Sequence, residues 1–254
     1  MSAEAIAFSD DAFLGGALTL RQPLKGFRSG HEAVLLAASI PAVVGQSALE
    51  AGLGTGAASL CLLKRVPGVK VAGLEVHPDT ALLARENALR NKLEERLEVL
   101  EGRVEAPPEV LRQQSFHHVF ANPPFLEEGE GLSADGEMRA GARMGPQGTL
   151  VAWADFCIRR AGPGGTVTLL HRADRLARIL QELEGRCGAI LIYPLWPKAG
   201  APAKRVIVRG VKGSRAPLQI LPGLVLHTES GAYTGEVEAT LRDGAPLAAL
   251  TALA

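Results

Sequence analysis

The sequence predicts an α/β fold: a doubly wound, mostly parallel sheet with helices on both faces and an antiparallel last strand. Three observations carry this expectation. From Ser47 onward, short apolar runs alternate with longer amphipathic segments, as strands alternate with the helices that cover them. A glycine-rich stretch, "EAGLGTG" from Glu50 to Gly56, separates the first apolar run from the first amphipathic segment. The final two runs, "AILIYPLWP" and "KRVIVRGVK", are joined by a Pro/Gly/Ala loop with no helical segment between them, which is the pattern of a hairpin connection.

Taken in order, residues 1–46 form a lead-in that starts polar and ends in a helical stretch, "HEAVLLAASI", expected to cover the ligand edge of the sheet. The strands that follow are "SALEA", "VKVAGLE", "LEVLEG", "HHVFA", "TVTLLH" and "GAILIYP", with "KRVIVRGVK" as the antiparallel last member. Between them, "GAASLCLLKRV" has helical character, and "PDTALLARENALRNKL" places Pro78 in a first turn with Ala81, Leu82, Arg85, Ala88 and Leu89 at helical spacing. The segment "TLVAWADFCIRRA" ends in Gly162, Pro163, Gly164 and Gly165, a stop before the fifth strand. "ADRLARILQELEGR" is the last helix of the 47–215 domain, and residues 216–254 are expected to pack on that domain as an extension. Residues 126–148 carry glycine and charge without apolar periodicity, the composition of a lid or a disordered segment.

Bulk properties narrow the function classes. Lys plus Arg and Asp plus Glu both number 27 among the 254 residues, so global charge argues for neither a nucleic-acid nor a membrane partner, and any basic surface is local. Cys61, Cys157 and Cys187 are widely spaced in apolar stretches and are expected to be buried, reduced thiols in a reducing cytosol. The sequence shows neither a basic segment leading into an apolar core at its start nor about 18 consecutive apolar residues, so a soluble, cytoplasmic protein is expected. An oligomeric state does not follow, although a monomer is slightly favoured.

The glycine stretch lets the backbone turn tightly and lets a ligand approach the N-terminus of the next helix, where N–H groups collect. Gly52, Gly54 and Ala57 also satisfy the dinucleotide fingerprint. Glu75 closes the second strand, where a carboxylate accepts both hydroxyls of a ribose. Together they predict a nucleoside cofactor without choosing between a nicotinamide dinucleotide and S-adenosylmethionine.

The tetrapeptide Asn122-Pro123-Pro124-Phe125, at the carboxyl end of the fourth strand, narrows the choice. An exocyclic amine is a poor nucleophile until acceptors engage its N–H bonds. The Asn122 side-chain oxygen and the Pro123 carbonyl supply two, Pro124 stiffens the chain that aims them, and Phe125 offers a face on which a planar base stacks. Hydride chemistry gains nothing from such a run.

These stretches resemble a known family. "EAGLGTG", "GLEVHP" and "NPPF" resemble the class I S-adenosylmethionine-dependent methyltransferases that act on amino groups. "LTLRQPLKGFRSGHEAVLLAASIP", ahead of the first strand, resembles the bacterial tRNA adenine-N6 methyltransferases that modify a valine tRNA beside its anticodon. The likeness runs from about Leu18 to Val211. It implies a Rossmann-like fold with a seven-stranded sheet, S-adenosylmethionine held by Glu50, Gly52, Gly54, Gly56, Glu75, Val76, Gly102, Arg103 and Asn122, an RNA substrate, and no metal. Relatives often place an Asp after the third strand to read the cofactor's adenine amine. Here Arg103 follows Gly102 and cannot accept that bond, so either Glu101 or a main-chain carbonyl substitutes, or cofactor affinity is lower than in relatives. Since guanine-N2 and protein-glutamine methyltransferases carry the same or a similar tetrapeptide, both stay open as alternatives. A catalytically silent RNA-binding module also stays open.

A basic ribbon in the last strand suits phosphate positioning. Lys204, Arg205, Arg209 and Lys212 are expected to contribute to it, with Arg28 of the lead-in extending the track. Capping a sheet edge explains the same charges equally well. "HEAVLL" has Leu35 where a zinc-binding helix needs its second histidine, and His117 reads as a strand-edge residue.

Overall fold

The computed structural model describes residues 7–26, 28–124 and 150–252. The expected lid at 126–148 falls outside them, as does Phe125.

Five strands run parallel: β3 (Ser47–Ala51), β4 (Lys70–Glu75), β5 (Leu97–Glu101), β6 (Phe116–Ala121) and β7 (Ala161–Arg172). β3, β4 and β6 are buried on both faces, which is why they read as nearly continuous apolar runs, whereas β5 at the sheet edge is half exposed and alternates. β8 (Cys187–Lys198) and β9 (Arg205–Lys212) complete the expected seven. β9 is antiparallel to β7 on one side and to β8 on the other, so the last of the seven strands lies inside the sheet. Two short strands from the C-terminal extension, β10 (Gln219–Ile220) and β11 (Leu224–His227), pair with β8 and bring the sheet to nine strands. The order is β5-β4-β3-β6-β7-β9-β8-β10, with β11 also on β8.

Helices cover both faces. α1 (His31–Ser39), α2 (Ala57–Arg65) and α3 (Pro78–Arg90) share one apolar cluster with β3, and α7 (Gly235–Asp243) joins it through Val237. α4 (Glu109–Gln113), α5 (Leu150–Arg160) and α6 (Leu176–Leu183) fill the other face around Trp153, Phe156 and Ile179. Pro78 occupies the first turn of α3, where a missing N–H costs nothing. α8 (Ala248–Thr251) ends the described chain, and Leu247 just before it donates its N–H to Ala38 O at 2.9 Å.

Gly162 to Gly165 do not end a helix ahead of β7. They lie inside the strand as a bulge, between the pairs Phe116↔Ala161 and His118↔Thr166. A Cβ on Gly165 would lie 2.9 Å from Phe116 O and 3.0 Å from His117 O, so only glycine lets the two backbones come this close.

The lead-in opens with an antiparallel hairpin, β1 (Phe8–Phe13) and β2 (Leu18–Pro23). Two asparagines one turn apart, Asn87 in α3 and Asn91 just past its end, serve the free edge of β2 as a partner strand would. Asn91 accepts from Thr19 N at 3.0 Å and donates to Thr19 O at 2.9 Å, while Asn87 does the same for Arg21 at 2.7 and 3.0 Å. Asn87 is fully buried, and its Nδ2 also donates to Thr55 O in the glycine loop at 3.0 Å. One side chain therefore ties the hairpin to the loop.

Candidate functional site

The carboxyl ends of β3, β4, β6 and β7 share one edge of the sheet, the place where doubly wound sheets bind ligands. The loop after β3 begins there. Gly52 and Leu53 both donate to Leu74 O at 2.9 Å, and Gly56 N closes a turn on Leu53 O at 3.0 Å. Gly52, Gly54 and Gly56 have φ of 72°, 56° and 89°, which an L side chain rarely adopts. They are glycines for different spatial reasons. A Cβ on Gly52 would sit 2.6 Å from the Trp153 ring, whereas one on Gly54 would meet nothing within 4 Å and would project into open space.

Two carboxylates hold this loop. Glu75 Oε2 accepts from Gly54 N at 2.8 Å and Oε1 from His77 N at 3.0 Å. Each oxygen keeps a lone pair for a further donor. Glu50 Oε2 accepts from Ser59 N at 3.0 Å and from Ser59 Oγ at 2.5 Å. Burial pushes Glu50 up to about 8; the Ser59 hydrogen bonds pull it down, and nearby Glu75 adds to the rise. A cation beside Glu50 would stabilise its ionised form.

A cleft of about 230 Å³ lies above the loop, lined by Glu50, Gly52, Gly54 and Asn122 on the sheet side. Its opposite wall is the end of the lead-in, Arg28 to Ala33, where α1 begins. Asn122 Oδ1 is buried and has no hydrogen-bond partner among the described residues. An orphaned acceptor of this kind costs about 1–3 kcal/mol unless a ligand satisfies it. Beyond Ala121, Pro123 and Pro124 bring no N–H, so the β6 ladder stops at the cleft.

The cleft unites Glu50, Gly52, Gly54 and Asn122 of the residues expected from sequence. Gly56 lies just behind it at the start of α2, and Glu75 reaches it through Gly54 N. Val76, Gly102 and Arg103 do not line it. Arg103 is exposed, and Glu101, the candidate substitute for an adenine-reading acid, forms a 3.0 Å ion pair with Arg85.

The basic ribbon needs correction. Arg209 is 1 % exposed, within the strand that separates β7 from β8, and cannot meet a phosphate there. Lys212 lies at the far end of β9 from the cleft edge, where its Nζ donates to Ala161 O at 2.6 Å. Seven residue steps of an extended strand separate it from Arg205 by about 23 Å. Arg205 is at the cleft edge but pairs with Glu32 at 2.8 Å, and Arg28 pairs with Asp11 at 2.5 Å. Lys204 is exposed. A strand that reads as a charged edge is an internal one.

His117 sits at the opposite edge of the sheet, its Nδ1 3.0 Å from Ser47 Oγ. Sequence reasoning missed His171, at the end of β7 beside the Asn-Pro-Pro turn, and Trp153, packed against Gly52. No local signal marks either, because a register and a helix placement bring them there. Among the described residues, no group of three or more His, Cys, Asp or Glu could hold a metal ion, and no helix is long and apolar enough to cross a membrane. All three cysteines are buried and free; burial pushes Cys157 up to about 12.

Residues 30–152 match the family described as "Methyltransferase small domain". The tRNA1(Val) (adenine(37)-N6)-methyltransferase of Aeromonas hydrophila is 25 % identical over 209 residues, 81 % of this chain and 84 % of that one. The release factor glutamine methyltransferase of Vibrio cholerae is 32 % identical over 119 residues, 47 % of this chain and 39 % of that one. Among solved structures, a predicted O-methyltransferase of Agrobacterium tumefaciens superposes with a TM-score of 0.70 at 26 % identity, covering 84 % of this chain and 96 % of that one.

Proposed function

We propose that this chain, a class I S-adenosylmethionine-dependent methyltransferase with a Rossmann-like fold, transfers its methyl group to adenine N6 in a tRNA. The observation that carries the reading is the buried Oδ1 of Asn122, unpartnered among the described residues, next to two residues that lack N–H groups, in the same cleft as the glycine loop.

The residues present fit the cofactor. Glu50 offers a carboxylate to its ammonium, Glu75 has lone pairs left for ribose hydroxyls, and Gly54 leaves room where a side chain would intrude. When bound, S-adenosylmethionine supplies an electrophilic methyl on a sulfonium. The chain's own contribution is to present the nucleophile. Asn122 Oδ1 accepts one amine hydrogen and the Pro123 carbonyl the other, which turns the nitrogen lone pair out of conjugation and toward the methyl. As the new N–C bond forms, the S–CH3 bond would break with a neutral thioether as leaving group, and the amine would lose one proton to solvent. No strongly basic side chain is required, since alignment supplies much of the effect.

Adenine rather than another amine is supported by the length of the likeness to the Aeromonas enzyme, which extends over 81 % of this chain. The base would leave its stack to reach this depth. Exposed Lys204 and the partly exposed Arg205 and Arg28 stand at or near the cleft edge as candidate phosphate contacts, and a cytoplasmic location follows from such a substrate. Incubation with methyl-labelled cofactor and unmodified tRNA transcripts is the test: labelled RNA supports the reading and labelled protein overturns it. Protein-glutamine methylation is the second reading. The Vibrio relative favours it, and a carboxamide nitrogen needs the same two acceptors.

A further inference from the structure

β6 and β7 pair in parallel up to Ala121↔Leu169, and two residues further the same register sets Pro123 opposite His171. With no N–H on either proline, the ladder cannot continue there. His171 is 2 % exposed, and its imidazole lies beside the main chain of Pro124. Proline has only a carbonyl to offer, so in a hydrogen bond between the two the imidazole is the donor and the Pro124 oxygen the acceptor. We infer that His171 is a positioning residue: its N–H occupies the Pro124 carbonyl, fixes the peptide planes of the Asn-Pro-Pro turn, and leaves the Pro123 carbonyl for the substrate amine.

The argument rests on counting donors and acceptors. Three acceptors crowd the turn: Asn122 Oδ1 and the carbonyls of Pro123 and Pro124. An amine with two hydrogens can satisfy only two of them. If the third were free, the amine could be held in two registers, one of them misaligned with the methyl group, and a misplacement of about 1 Å costs on the order of 100-fold in rate. A side chain that permanently takes the Pro124 oxygen removes the wrong register. Burial holds the imidazole below its ordinary pKa, with the Pro124 bond and Asp174 opposing and Arg172 and Arg175 assisting, so it is neutral at pH 7 with a single N–H to give. Asp174 is itself paired with Arg172. The site thus has a donor on the protein side of the turn and acceptors on the ligand side.

This inference rests on the amino-methyltransferase reading of the cleft, and the test keeps the two apart. His171→Phe removes the donor, and His171→Gln retains an N–H of similar reach. With tRNA transcripts and labelled cofactor, the Phe variant should lose at least tenfold in kcat with cofactor Kd unchanged by calorimetry, and the Gln variant should recover most of the rate. Equal rates in wild type and Phe variant, or equal losses in Phe and Gln variants, overturn the role. Crystal structures of wild type and of both variants give a reading that needs no substrate. A wild-type His171 bonded to the Pro124 carbonyl, with that carbonyl rotated in the Phe variant, supports it; a turn unchanged in the variant overturns it. Transfer of label to protein instead of RNA would sink the tRNA substrate alone and leave this structural result standing.

Discussion

The glycine loop and the Asn-Pro-Pro turn share one cleft and are held in opposite ways. In the loop, the N–H groups of Gly52, Leu53, Gly54 and Gly56 all find protein acceptors, and Asn87 anchors the Thr55 carbonyl. In the turn, two prolines remove donors, and the Asn122 oxygen lacks a partner among the described residues. The N–H groups of Gly52, Leu53, Gly54 and Gly56 are satisfied before any ligand arrives, and the loop offers shape. Stiff prolines with His171 packed beside them define the turn, which leaves the Asn122 acceptor open to a ligand. A cofactor held by shape suits the former, and an amine whose lone pair must be turned out of conjugation suits the latter.

The sharpest way to break this contrast is Asn122→Ala. Loss of one oriented group of this kind costs about 10²–10³ in kcat, and cofactor Kd should stay within about twofold because the loop needs nothing from Asn122. A variant that loses cofactor affinity instead would merge the two regions.

Glu50 tests the loop side. Its folded pKa, about 8, is raised above the unfolded value, so the native state keeps a proton the unfolded chain gives up. Stability is therefore fully present below about pH 4.5 and falls as pH rises toward about 8, by up to about 1.4 kcal/mol per pH unit from this group. Denaturant titrations across that window should show the slope in wild type and lose it in Glu50→Gln. Cofactor affinity should rise over the same window, because a bound cation favours the carboxylate.

Asn87→Ala comes next. It strands Arg21 N, Arg21 O and Thr55 O, and should cost about 1–3 kcal/mol in urea unfolding. Cofactor affinity should weaken with it while the turnover rate at saturation holds. Arg205→Ala should change stability least, by about 0–1 kcal/mol, because its pair with Glu32 is partly solvated. If Arg205 also touches RNA, the tRNA KM rises and its salt dependence falls, with kcat unmoved.

The parts legible in the sequence were those written locally. The strand runs, Pro78, the glycine loop and Asn122 each announce themselves within a few residues, and the structure puts them where that reading expects. The hairpin Phe8–Phe13 with Leu18–Pro23 was not legible, because Leu18 and Leu20 alternating with Thr19 and Arg21 is too short a run to mark a strand, and its free edge is satisfied from a distance by Asn87 and Asn91. Arg209 misled for a related reason: its strand lies between two others, a placement that depends on which neighbours β9 finds. His171 carries no motif and acquires its place only from the register of β7 against β6. Gly162 to Gly165 read as a stop and proved to be a bulge, since glycine allows either and only the partner strand decides.

The central claim is that the turn activates an adenine amine while the loop holds the cofactor. Nuclease digestion of tRNA transcripts after incubation with methyl-labelled S-adenosylmethionine tests it most directly. The account predicts labelled N6-methyladenosine with the wild-type protein and none with Asn122→Ala, at unchanged cofactor binding. Label recovered in protein glutamine, on guanine, or at full rate from the Asn122→Ala variant would contradict it.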